Sequence, residues 1–173
     1  MQFKTTSLSL GLIISILSFS AIADEPSNPN YGLSFSSSNQ LTMRKPLNES
    51  TMIYGGIGLA GYEYEGHDNS TGNNSSLTLG ARDYLSKDRL SKFINLELTR
   101  GITSYSGNTP DYQNMYTTAN ITYGIEYFLA SNFSIEGSAG VGINWQEYTY
   151  PTYSYTYRNN SFPAARLALT YYW

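Results

Sequence analysis

From residue 30 onward, apolar and polar positions alternate with a period of two, in segments separated by clusters of Gly, Asn, Ser, Asp and Pro, and no stretch sustains helical spacing. The clearest segment is 118–129. Ala119, Ile121, Tyr123, Ile125, Tyr127 and Leu129 fall on one face, and Thr118, Asn120, Thr122, Gly124, Glu126 and Phe128 on the other. After Ala130-Ser131-Asn132 the pattern resumes, with Phe133, Ile135, Ala139, Val141, Ile143 and Trp145 alternating with Ser134, Glu136, Ser138, Gly140, Gly142 and Asn144. The pattern predicts an all-β domain with strands near 31–36, 40–47, 51–64, 77–86, 92–105, 116–129, 133–148 and 162–173. Short connections are expected near Asn48-Glu49-Ser50, Ser86–Ser91 and Ala130–Asn132, and long ones at 65–76, 106–115 and 149–161.

Alternation alone fits two opposite molecules. In a soluble sheet or a lipocalin-like binder the apolar face turns inward; in a transmembrane barrel it turns to lipid and the polar face lines a lumen. The first hairpin is cramped under the second reading. Tyr31–Leu47 supplies two strands around Ser37-Ser38-Asn39, each shorter than the roughly nine to eleven residues of a tilted transmembrane strand.

The two ends of the sequence bear on the choice. Lys4, the apolar run Leu8–Phe19 and Ala21-Ile22-Ala23 have the order of a secretory signal with an A-x-A cleavage site, so residues 1–23 are expected to be a signal peptide and 24–173 the domain. Removing Lys4 with that segment makes the domain one unit more negative than the −3 of the whole chain. No second apolar run approaches the length of a transmembrane helix, and no basic stripe suits nucleic acid. The chain has no cysteine, which excludes disulfides and thiolate chemistry. In the last segment, Ala165, Leu167, Leu169, Tyr171 and Trp173 share one face, and Ala164, Arg166, Ala168, Thr170 and Tyr172 the other. A soluble protein seldom exposes such an edge.

Leu167, Leu169, Tyr171 and Trp173 resemble the C-terminal assembly signal of Gram-negative outer-membrane proteins. With the length of the domain and the segment 77–85, they make the chain look like the small outer-membrane β-barrel superfamily that includes OmpX and the membrane domain of OmpA. The resemblance implies an eight-stranded antiparallel up-and-down transmembrane barrel in the bacterial outer membrane, with periplasmic termini. It also implies lipid and lipopolysaccharide as surroundings, the barrel-assembly machinery as a partner, and no cofactor.

Four sets of residues are candidates for chemistry or contact. Gly56-Ile57-Gly58-Leu59-Ala60-Gly61 matches a dinucleotide-binding pattern letter for letter, but it lies inside an alternating strand with no helix to follow, so packing is its expected use. His67, the only histidine, sits in Gly66-His67-Asp68-Asn69-Ser70; such a loop lacks the rigidity a catalytic base needs. Alternation points Arg44, Arg82, Glu97, Glu126, Glu136 and Arg166 into the lumen. Glu126 and Glu136 lie equally far from the 130–132 turn and so face each other, which requires a cation, Arg82 or Arg166, beside them. Arg100 falls on the lipid side, which calls for a bulge or a place at the headgroups. Finally, Tyr148, Tyr150, Tyr153, Tyr155, Tyr157 and Arg158 form an exposed stretch suited to adhesion.

The expected function is non-enzymatic: a structural or surface-interaction barrel acting on host or cell-surface ligands through its outer loops. The alternatives are a narrow porin-like channel, a lipid A-modifying enzyme and a secreted lipocalin-like binder.

Overall fold

The computed structural model describes residues 31–64, 70–107 and 112–173. Eight strands follow one another: β1 (Gly32–Ser36), β2 (Gln40–Pro46), β3 (Thr51–Tyr64), β4 (Ser70–Ser86), β5 (Leu90–Gly107), β6 (Tyr112–Ala130), β7 (Phe133–Thr149) and β8 (Ser154–Tyr172). Each pairs antiparallel with the next, and β1 pairs with β8, so the sheet closes into a barrel without leaving an edge at that level. Tyr31 and Trp173 exchange backbone hydrogen bonds at 3.3 and 3.0 Å and extend this closing seam.

The two faces divide as the sequence alternates. Leu59, Leu77 and Leu79 are each about two-thirds exposed, whereas Glu126, Ser134 and Thr170 on the inside are fully buried. Moving one such leucine from water to hydrocarbon gains about 2 kcal/mol, so the outward belt belongs in a bilayer and the barrel is a transmembrane one. The lipocalin-like alternative fails here, because it needs the apolar face inside.

A lumen of eight strands has room only for side chains, and large rings fit because glycines face them. Tyr172, Tyr54, Phe93 and Tyr116 lie over Gly32, Gly80, Gly124 and Gly101, their direct cross-strand partners; a methyl group at any of the four would collide with the ring. Gly56 serves a tighter contact: its Cβ would stand 2.5 Å from the Leu41 carbonyl oxygen. The Gly56–Gly61 pattern is thus part of one strand, packed closely against β2.

The barrel is lopsided. β1 and β2 stop at the turn Ser37–Asn39, where Asn39 has a φ of 56°, whereas β3 to β8 run well past that level. The expected long connections are largely strand: β4 starts at Ser70, β6 at Tyr112 and β8 at Ser154. β7 and β8 turn tightly at Pro151-Thr152, with the Tyr150 amide donating to the Tyr153 carbonyl at 2.9 Å. His67 lies outside the described residues.

Candidate functional site

In the lower lumen, strands β2, β4, β6 and β7 each contribute one charged residue to a common centre. Arg82 forks onto Glu136, Nη1 to Oε2 at 2.7 Å and Nη2 to Oε1 at 3.0 Å, and Nη1 also reaches Glu126 at 3.3 Å. Arg44 stands on the other side, 2.9 Å from Glu136 and 3.7 Å from Glu126. Glu126 and Glu136 are cross-strand partners, as their equal distance from the turn requires. Neutral donors complete the shell: Tyr172 donates to Glu126 at 2.6 Å, and Tyr84 and Ser134 donate to the same carboxylate. The Arg82 guanidinium lies over the Phe93 ring, 3.7 Å from its centroid. None of the four charged side chains exceeds 3 % exposure. Two cations and two anions leave this layer neutral, packed and closed.

The other two lumen charges form a separate pair one storey higher. Arg166 reaches Glu97 at 2.7 Å, and Tyr54 donates to the same Glu97 oxygen at 2.9 Å. Arg166 lies 3.8 Å from Glu136 and links the storeys. Sequence reasoning placed all six charged residues inside but missed Tyr54, Tyr84 and Tyr172 as donors. The available signal was parity, since each is an even number of residues from a lumen Arg.

Above the Arg166–Glu97 pair the inner face becomes aromatic. Tyr105 and Tyr112 are cross-strand partners on β5 and β6, and Tyr150 and Tyr153, joined by the backbone hydrogen bond of the β7–β8 turn, continue the row. Their rings stack in series at 4.4, 5.0 and 4.7 Å, with planes within 15° of each other. Tyr148 stacks on its partner Tyr155 at 5.0 Å, and Tyr157, paired with Gln146, shares the same face. Arg158 does not join them. It pairs with Trp145 on the outward face, its guanidinium 5.9 Å from the indole.

That outward face also resolves Arg100. The pairing of β5 is regular on both sides of it, so no bulge turns the side chain inward. Arg100 stands in the row Leu77, Arg100, Thr117, Trp145, Arg158; the next row up, Leu59, Ser75, Ile102, Met115, Glu147 and Thr156, is half polar, and the one above it is Gly61, Asn73, Ser104, Gln113, Thr149 and Ser154. Polar residues take over there. Arg100 is therefore at the rim of the apolar belt, where a long side chain reaches headgroups. The four residues of the expected assembly signal, Leu167, Leu169, Tyr171 and Trp173, all point outward at or below the belt, with Tyr171 and Trp173 stacked at 6.2 Å.

No family model matches the sequence, and no curated protein matches it. Among solved structures the chain is similar to the crystal structure of Ail, the attachment invasion locus protein of Yersinia pestis. The two share 13% identity over 83% of this chain and 93% of that chain, with a TM-score of 0.45.

Proposed function

We propose that the protein is a non-enzymatic barrel of the bacterial outer membrane that acts by surface interaction, through the sheet that β3 to β8 raise above the membrane. The observation that carries this reading is the tyrosine face. A row of stacked tyrosines beyond the apolar belt does nothing to hold the barrel in lipid, yet it offers rigid amphipathic contact area at little entropic cost. The open edge of β8 adds to it. Above the seam, among the described residues, only β7 pairs with β8, so every second residue there presents its backbone polar groups to whatever approaches. The end bearing the short turns and both seam strands' termini then faces the periplasm.

Against the channel alternative stands the Arg44, Arg82, Glu126 and Glu136 layer, whose side chains are paired and no more than 3 % exposed. Planar-bilayer recording of the wild type is expected to give no steady conductance, and a persistent current would revive the channel reading.

The proposal is tested by expressing the protein in a non-adherent bacterial host, fractionating the envelope and running the outer-membrane fraction on SDS gels with and without boiling. A heat-dependent shift is expected, because closed barrels resist SDS when cold. Replacing Tyr148, Tyr150, Tyr153 and Tyr155 together by Ser is expected to keep that shift and to abolish adherence to cultured cells. Wild-type cells that gain no adherence would sink the interaction reading. A protein without the shift would sink the membrane one.

A further inference from the structure

Because β1 and β2 stop at Ser37–Asn39, the described residues leave a gap in the wall above them, bordered by β3 and β8, which among those residues are not paired with one another. On its inner side lies a polar cavity of about 400 Å³ whose lining includes Asn39, Leu59, Ala60 and Ala165 at the gap. Its far wall carries Asn74, Thr99, Thr118, Asn120 and Thr122. Gln40 also lines it, is 8% exposed, and has no hydrogen-bond partner for Oε1 among the described residues; the Asn120 Oδ1 is buried and equally unpartnered among them. On the outer side, a groove in the lipid-facing wall runs past the small residues Gly137, Ala139 and Ala165, between Tyr123 and Ile125 on β6 and Leu167 on β8. Its lining is almost wholly apolar. Ala165 and Arg166 line both spaces, and the groove ends at Ser37, beneath the gap.

From this juxtaposition we infer that the barrel holds one membrane glycolipid, an acyl chain in the outer groove and an uncharged saccharide headgroup passing through the gap into the cavity. The inference rests on the membrane reading above and names a ligand for it. The chemistry selects the headgroup. The two charged residues of the cavity, Glu97 and Arg166, are spent on each other at 2.7 Å, so a phosphate would find no free cation and would face a carboxylate. What remains is a wall of hydroxyls and amides, with unpartnered acceptors that match the many O–H donors of a sugar. The cavity is within the size range of small-ligand sites. A lipid of the surrounding leaflet supplies both halves, whereas a soluble sugar would leave the groove unused.

The probe is dodecyl maltoside, offered to the full protein in phosphatidylcholine nanodiscs and counted by native mass spectrometry beside free maltose and dodecyl phosphocholine. One retained maltoside per barrel is expected, with at least tenfold weaker retention of the other two. The double variant Gln40→Leu/Asn120→Leu and, separately, Ala139→Phe in the groove should each weaken maltoside retention at least tenfold, while Leu79→Phe on the opposite wall leaves it unchanged. Equal retention of dodecyl phosphocholine would overturn the saccharide, and equal retention of maltose would overturn the lipid. The wild-type comparison decides the matter even if a variant does not fold. The heat shift of each sample on SDS gels reports separately whether the barrel is there, so loss of ligand and loss of the membrane fold are distinguished.

Discussion

Arg82→Met is expected to lower the unfolding free energy of the barrel by about 3–5 kcal/mol, the cost of leaving a buried charge without its partner. Met fills much the same volume against Phe93, so little of the loss comes from packing. What changes is the balance of charge. Glu126 and Glu136 then share Arg44, which stands 2.9 Å from Glu136 and 3.7 Å from Glu126, with Arg166 beyond it at 3.8 Å from Glu136. Urea unfolding in lipid vesicles, followed by tryptophan fluorescence, measures the loss, and the temperature of the SDS gel shift should fall with it. Adding Glu136→Gln to Arg82→Met removes the uncompensated anion and is expected to recover part of the stability, a non-additivity that marks a shared network. A loss well under 1 kcal/mol for Arg82→Met would show that Glu126 is served well enough by Tyr84, Tyr172 and Ser134, and Glu136 by Arg44 and Arg166.

This network was largely legible in the sequence because the bilayer and the narrow lumen enforce a strict period of two. Arg44, Arg82, Glu126, Glu136 and Arg166 all sit on the polar parity of strands whose other parity is apolar. Choosing which arginine meets the carboxylates needed register. Arg82 and Arg44 arrive from β4 and β2, across the lumen rather than along the sheet, and Arg166 goes mainly to Glu97. The same reasoning weakens above the membrane. There both faces of the sheet are wet, so Ser70–Ser76 reads as a loop although it is strand, and the Tyr-Thr stretch before Arg158 has no apolar stripe to fix its orientation. Parity itself slips in β8. Counting back in twos from Arg166 puts Arg158 inside, but the chain gains one residue between Ala164 and Ser161 against Gly140 and Gly142, which moves Arg158 outward and the tyrosines inward. The proline within that bulge, Pro163, has no N–H to give a ladder, which is a reason for the bulge to sit there.

The other half of that irregularity carries the second large effect: Gly140→Ala is expected to cost about 3 kcal/mol or to stop assembly altogether. A Cβ at Gly140 would collide with the backbone of β6, meeting the Ile121 carbonyl oxygen and standing 2.6 Å from the Thr122 Cα. Backbone cannot rotate out of the way as a side chain does, so β6 and β7 would have to part, and with them the register that sets Glu136 opposite Glu126. Three residues away, Gly137→Ala is the control. Its Cβ would meet only the Leu167 Cδ2, at an ordinary 3.5 Å, and no described glycine has a positive φ. Alanine there should be neutral or stabilising by a few tenths of a kcal/mol through the unfolded chain. Refolding yield by gel shift and urea midpoint separate the two variants. Similar behaviour of both would mean that β6 and β7 approach no more closely at Gly140 than elsewhere, and the bulge in β8 would then owe its place to Pro163 alone.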